Sequence, residues 1–180
     1  MKLDVLKTES PWYEGGMDFT CTQCGNCCSG PPGFVWITRD EIVRLAEHLE
    51  MTPEDVVEKY CRMVGGQFSL RERRNAQGQY DCIFLREIPA EKLKADGTKG
   101  GAPIGEAINQ SKRVCGIYSA RPLQCRTWPF WSGNLQSKTA WDAAAVRCHG
   151  MNRGRHFTEQ EIAALRDADD WPKGKEAPTS

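Results

Sequence analysis

The sequence predicts an α+β fold, a small single domain of short helices and hairpins around a cysteine-lined metal centre. Three observations carry this. Cys21, Cys24, Cys27 and Cys28 crowd four thiols into eight residues. Start signals for short helices alternate with short runs of strand-forming residues. The length, 180 residues, suits one domain that buries roughly 70% of the surface its unfolded chain exposes. The expected layout is an N-terminal lead-in over 1–18, a cysteine-cluster metal-binding domain over 19–166 with a surface insertion at 87–112, and a flexible tail over 167–180.

Each element has a local cause. The lead-in carries Pro11-Trp12-Tyr13 and Gly15-Gly16, little pattern and one aromatic anchor, and the cysteine run follows on a loop. Phe34-Val35-Trp36-Ile37 is a short strand-like stretch. Thr38 ahead of Arg39-Asp40-Glu41 is a capping signature that starts a helix to about Leu49, with Ile42, Leu45, Ala46 and Leu49 on one face. Thr52-Pro53-Glu54-Asp55 puts proline at the first helical position of a second helix, ending near Cys61. Phe68–Arg71 and Tyr80–Leu85 read as the strands of a hairpin joined through Asn75-Ala76-Gln77-Gly78. Residues 87–112 show little periodicity and read as an insertion. Thr158-Glu159-Gln160-Glu161 opens a last helix through Ile162, Ala163 and Leu165, and the tail beyond Trp171-Pro172 reads as disordered.

Composition narrows the function classes. Lysine plus arginine equal aspartate plus glutamate at 24 each, so no global field favours nucleic acid or anionic lipid. The short patch Arg71-Glu72-Arg73-Arg74 is mixed in sign and reads as a solvated turn. No apolar run approaches the roughly 18 residues that span a bilayer. The segment from Met1 to Lys7 is charged and does not read as a secretory signal. Nine cysteines are an odd number and, at about 5% of the chain, too few for a secreted disulfide scaffold. The expectation is a cytoplasmic protein with reduced thiols and metal ions as partners, and with neither nucleic acid nor membrane among them. Gly-x-Ser-x-Gly, Gly-x-Gly-x-x-Gly and the Walker phosphate loop are absent, so nucleophilic and nucleotide chemistry find no support.

The cysteines carry the chemistry. Cys21, Cys24 and Cys27 form C-x-x-C-x-x-C, a spacing that lets three thiolates reach three corners of an iron–sulfur cluster while a distant cysteine supplies the fourth. A fold that gathers single cysteines around a compact loop can also hold zinc, so ligand type does not decide between the metals. Cys27 and Cys28 are adjacent, and on extended backbone neighbouring side chains point to opposite sides. They are therefore expected to serve two metals, or one as ligand and one as a reactive neighbour. With Cys82, Cys115, Cys125 and Cys148 the set reaches eight, enough for two four-thiolate sites or one polynuclear cluster. Cys61, at the end of an amphipathic helix, reads as core packing. His149 beside Cys148 is not expected to ligate, because the thiols suffice. Arg121 and Arg126 flank Cys125 and are expected to bind the cofactor by offsetting its charge and donating to sulfur, while Trp128, Phe130 and Trp131 exclude water.

Taken together, Cys21-x-x-Cys24-x-x-Cys27-Cys28, Cys82-Ile83-Phe84-Leu85, Cys115-Gly116-Ile117-Tyr118-x-x-Arg121-Pro122-x-x-Cys125-Arg126-x-Trp128-Pro129-Phe130 and Cys148 resemble the YkgJ-type cysteine-cluster family. The resemblance runs from about Phe19 to Cys148. It implies a zinc- or iron-chelating CxxCxxCC domain and an iron–sulfur oxidoreductase label, with metal chelation implied more firmly than any reaction. Three readings follow: an iron–sulfur or polynuclear iron centre for redox or electron transfer, a zinc-chelating structural or storage module, and a metal-dependent enzyme that modifies a protein or peptide.

Overall fold

The computed structural model describes residues 10–89 and 112–168, where helices and small antiparallel sheets alternate and give the α+β class. Backbone contacts group these residues into two compact units. The first comprises 10–21 and 127–168, the second 22–89 and 112–126.

In the first unit the described part of the expected lead-in, residues 10–18, packs into the fold, and residues 1–9 lie outside the described residues. Strand β1 (Met17–Phe19) pairs antiparallel with β10 (Arg155–Phe157), Met17 opposite Phe157. Tyr13 and Met17 are buried with Phe130, Leu135, Trp141, Met151 and Ile162. The reason is aromatic: Trp12 Nε1 donates to Leu135 O at 2.8 Å, and Phe19 meets Phe130 edge-on at 6.0 Å, so burial of large rings draws this segment in. Helices α4 (Ser132–Leu135), α5 (Lys138–Arg147) and α6 (Glu159–Asp167) complete the unit. Ser137 caps α5 by accepting from Ala140 N at 3.1 Å, and Thr158 with Glu161 forms the capping box of α6. Gly150 permits a close approach: a Cβ there would stand 2.0 Å from the Thr20 carbonyl oxygen.

The second unit contains α1 (Arg39–Leu49), begun by the Thr38–Glu41 capping box, and α2 (Pro53–Tyr60), capped by Thr52. Their apolar faces pack on a three-stranded sheet in the order β3 (Val35–Trp36), β5 (Gln67–Leu70), β4 (Cys61–Val64). Here the expected hairpin is corrected. Phe68–Leu70 pairs with Cys61–Met63, because Gly65 and Gly66, both at positive φ, turn the chain in two residues. The strands that flank Asn75–Gly78 are β6 (Glu72–Arg74) and β7 (Tyr80–Cys82), with β2 (Ser29–Gly30) on the other edge of β7. The Arg71–Arg74 patch accordingly reaches β6 rather than forming a turn, and Arg73 donates to Leu85 O at 2.6 Å. Cys61 lies buried in the aliphatic core with Ile37, Ile42, Leu45, Val56, Leu70 and Phe84.

The ends of the expected insertion are also ordered. Glu87, Ile88 and Lys112 belong to the antiparallel pair β8 (Leu85–Ile88) and β9 (Lys112–Cys115). The rest of 87–112 and the tail after 168 fall outside the described residues. A short helix α3 (Leu123–Thr127) follows. No helix among the described residues is long and apolar enough to cross a membrane.

Candidate metal centre

The thiols of the second unit are placed by three separate pairs of local structure. Gly25 sits at φ 72°, and a Cβ on it would lie 2.8 Å from Leu85 Cδ1, so glycine is what lets the cysteine loop close onto β8 and β9. The chain then makes a 3₁₀ turn over Asn26–Cys28 and enters β2. Ser29 pairs with Asp81 and Gly30 with Tyr80 in β7, the strand that ends at Cys82. Cys115 ends β9 opposite Leu85. Cys125 lies on α3 three residues after Pro122, whose carbonyl accepts from Cys125 N at 3.0 Å.

Cys27, Cys28, Cys82, Cys115 and Cys125 influence one another's protonation through pairwise hydrogen bonds and charges. Cys28 donates towards Cys115 and Cys27, and holding that proton raises its own pKa far above the ordinary thiol value. The same hydrogen bond lowers Cys115 to about 6 and Cys27 to about 7, and the positive charge of Arg121 acts in the same direction on both. Burial is the main cause that pushes Cys82 up to about 11, with the Cys115 and Cys27 charges adding to it. Burial also raises Cys125, the charges of Cys82, Cys27 and Cys115 add to the rise, and Arg121 opposes it.

Cys27 and Cys28 correct one expectation. Their backbone is a 3₁₀ turn and not extended, so the two sulfurs face each other at 3.9 Å. Two thiolates bound to one tetrahedral metal at about 2.3 Å each would be separated by about 3.8 Å. Among the described residues, no group of three or more His, Cys, Asp or Glu side chains is placed so that it could hold a metal ion.

The two arginines diverge. Arg121 donates Nε–H to the Tyr118 carbonyl at 2.9 Å, stacks over the Tyr118 ring at 3.7 Å, and acts electrostatically on Cys27, Cys115 and Cys125. Arg126 turns to the buried carboxylate of Glu41 at 3.7 Å. Glu41 is a residue the sequence reading used only as a cap. Its Oε1 also accepts from Leu123 N at 2.6 Å and so ties the start of α3, and with it Cys125, to α1. Gln124 does similar work, accepting from Trp36 N at 2.7 Å and donating to Phe34 O at 3.1 Å. The capping pattern marked Glu41 as important locally; nothing local pointed to its partner some eighty residues on.

The remaining candidates are placed as follows. Cys24 belongs to the second unit and is half-buried, as is Cys21 in the first. Cys148, also in the first unit, accepts a hydrogen bond from Trp128 Nε1 at 3.3 Å, and Trp128 meets Trp131 edge-on at 4.8 Å. Phe130, expected to shield a cofactor, is a core residue stacked on Trp141 at 5.9 Å. His149 is exposed.

No family model matches this chain, and no solved structure matches it. An uncharacterized protein of Methanocaldococcus jannaschii is similar, 25% identical over 152 residues. The matched region is 83% of this chain and 66% of that relative, so the chain spans just under two thirds of the relative's length.

Proposed function

We propose that this protein binds a polynuclear iron or iron–sulfur centre through the thiols of its second unit and uses it for redox chemistry or electron transfer. What supports this reading is the 3.9 Å approach of the Cys27 and Cys28 sulfurs, together with the electrostatic coupling of this pair to Cys82, Cys115, Cys125 and Arg121. Five thiols exceed the four of a structural zinc site. Cys115 and Cys27 are held towards the thiolate form beside Arg121, and a bound metal would replace the protons that Cys28, Cys82 and Cys125 retain. The YkgJ-type arrangement of the sequence points the same way.

Such a centre, when bound, would supply one-electron chemistry. The protein's own residues would hold it and tune it. Arg121, fixed by its stack on Tyr118, offsets thiolate charge. Glu41 and Gln124 hold α3 so that Cys125 stays in place. Cys27 is exposed, which opens one edge of the group to solvent and to a redox partner.

A second reading, zinc chelation without catalysis, is favoured by the 3.9 Å separation of the Cys27 and Cys28 sulfurs, the spacing of two ligands on one tetrahedral ion. Absorption spectroscopy of protein purified without oxygen separates the two. A visible sulfur-to-iron band that bleaches on reduction is expected. A colourless protein with stoichiometric zinc would replace the first reading by the second, and a folded protein free of both metals would overturn both.

A further inference from the structure

We infer that the cleft between α1 and the segment from Ser119 to Arg126 binds a small organic carboxylate. This goes beyond the metal reading and does not require it. The cleft is open to solvent along one side, has a volume of about 630 Å³ and is lined almost entirely by charged and polar side chains. One wall is a face of α1 that presents Arg44, Glu47 and His48 at helical i, i+3 and i+4 spacing; the other carries Ser119, Arg121 and Arg126.

The charges explain the ligand class. Three guanidinium groups converge on a space that also holds the carboxylates of Glu41 and Glu47. Glu41 is buried and already engaged by the Leu123 amide and the Thr38 cap. Arg44 and Arg126 each stand 3.7 Å from it, an ion-pair distance too long for a hydrogen bond. Their forks are thus held electrostatically near the cleft, with donors left for another oxyanion. Planar guanidinium forks match a carboxylate in bidentate geometry. The two glutamates argue against a dianion such as phosphate, because the local charge sum is only +1 with His48 neutral. They favour a monocarboxylate that also carries an amino or hydroxyl group for Glu47 and Ser119. Arg121 borders both the cleft and the thiol group, so a ligand held there would lie one side chain from the sulfurs.

Calorimetric titration of the purified protein, with its metal content recorded, tests this. Lactate, glutamine and phenylalanine are the hydroxy- and amino-acid probes, and inorganic phosphate at equal ionic strength is the control. At least one organic acid should saturate the protein and bind at least about tenfold more tightly than phosphate, and Arg44→Met should weaken it about tenfold or more. Arg44 is exposed on α1, so this variant should keep both helical circular dichroism and the wild-type metal content. Absence of saturable binding by all three acids, phosphate binding as tightly as they do, or unchanged binding in Arg44→Met each overturns the inference. Because metal content is measured on the same samples, loss of the acid with metal retained, or loss of metal with the acid still bound, shows which of the two proposals has failed.

Discussion

The two units differ in what fills them. The first is organised by rings: Phe130 stacks on Trp141 and packs against Phe19 and Phe157 at 6.0 Å and 4.8 Å, and Trp12 adds a further ring against Trp141. The second has a mostly aliphatic core in which Phe84 meets Tyr60 at 4.7 Å, and against it lie the partly buried Cys82 and Cys115. Aromatic burial is complete once the chain folds, because nothing is left charged. A thiol group whose members lower and raise one another's pKa is not complete in that sense; it holds unequal protons and charges that a metal would replace. The two units should therefore respond oppositely to metal and to core mutations.

Metal removal should have the largest effect. Binding free energy available only in the folded state adds to stability, on the order of 10 kcal/mol for tight thiolate sites. Chelation should therefore speed hydrogen exchange through residues 22–89 and 112–126 while exchange at the Trp141 helix changes little. Equal acceleration in both units would erase the distinction.

The converse perturbation is Trp141→Ala. It removes a side chain that is 1% exposed and should cost about 3–5 kcal/mol, read as a fall in the denaturation midpoint, with metal per chain unchanged. Loss of metal in parallel would show that the aromatic unit supports the thiols.

Acidity gives a third handle. Metal uptake must release the proton that Cys28 retains, and further protons from Cys82 and Cys125, whose pKa values are also raised. Cys115 and Cys27, lowered to about 6 and about 7, are largely ionised already at mildly alkaline pH. Each proton released weakens binding as pH falls, so apparent metal affinity should rise at least about tenfold per pH unit between about pH 7 and 9. A competition titration with a chelator of known proton affinity measures this, and a flat profile would contradict the proton placement.

The smallest effect is expected at Cys61. It is 2% exposed in the aliphatic core, and burial raises its pKa to about 11. Cys61→Ala should cost about 1–2 kcal/mol of packing in a thermal or urea melt and leave metal content intact.

Much of the second unit was legible because its signals are local. Thr38 with Glu41, Thr52 with Pro53, and the apolar stripe of Ile42, Leu45 and Ala46 specify α1 and α2 by capping and periodicity alone. Thr158 with Glu161 does the same for α6. Helix α5 escaped because Lys138–Arg147 is alanine-rich with one buried residue, Trp141, and so has no stripe to read. The pairing of β1 with β10 joins residues well over a hundred positions apart, and no short-range pattern encodes it. The expected hairpin differs from the structure because it leaves out the Gly65-Gly66 turn, which pairs Phe68–Leu70 with Cys61–Met63, while Asn75–Gly78 joins β6 to β7. At the candidate site the C-x-x-C-x-x-C spacing singled out Cys21, Cys24 and Cys27, and of these Cys27 has its sulfur 3.9 Å from that of Cys28. The spacing could not show that a 3₁₀ turn would bring Cys27 and Cys28 together, nor that Arg126 would prefer Glu41.

The most direct test of the central claim is metal per chain, by elemental analysis of protein purified without oxygen, in wild type, Cys28→Ser and Cys61→Ser side by side. The account predicts bound iron in wild type and in Cys61→Ser and its loss in Cys28→Ser, whose sulfur links Cys27 to Cys115. Equal metal in all three, or loss in Cys61→Ser matching that in Cys28→Ser, would contradict it.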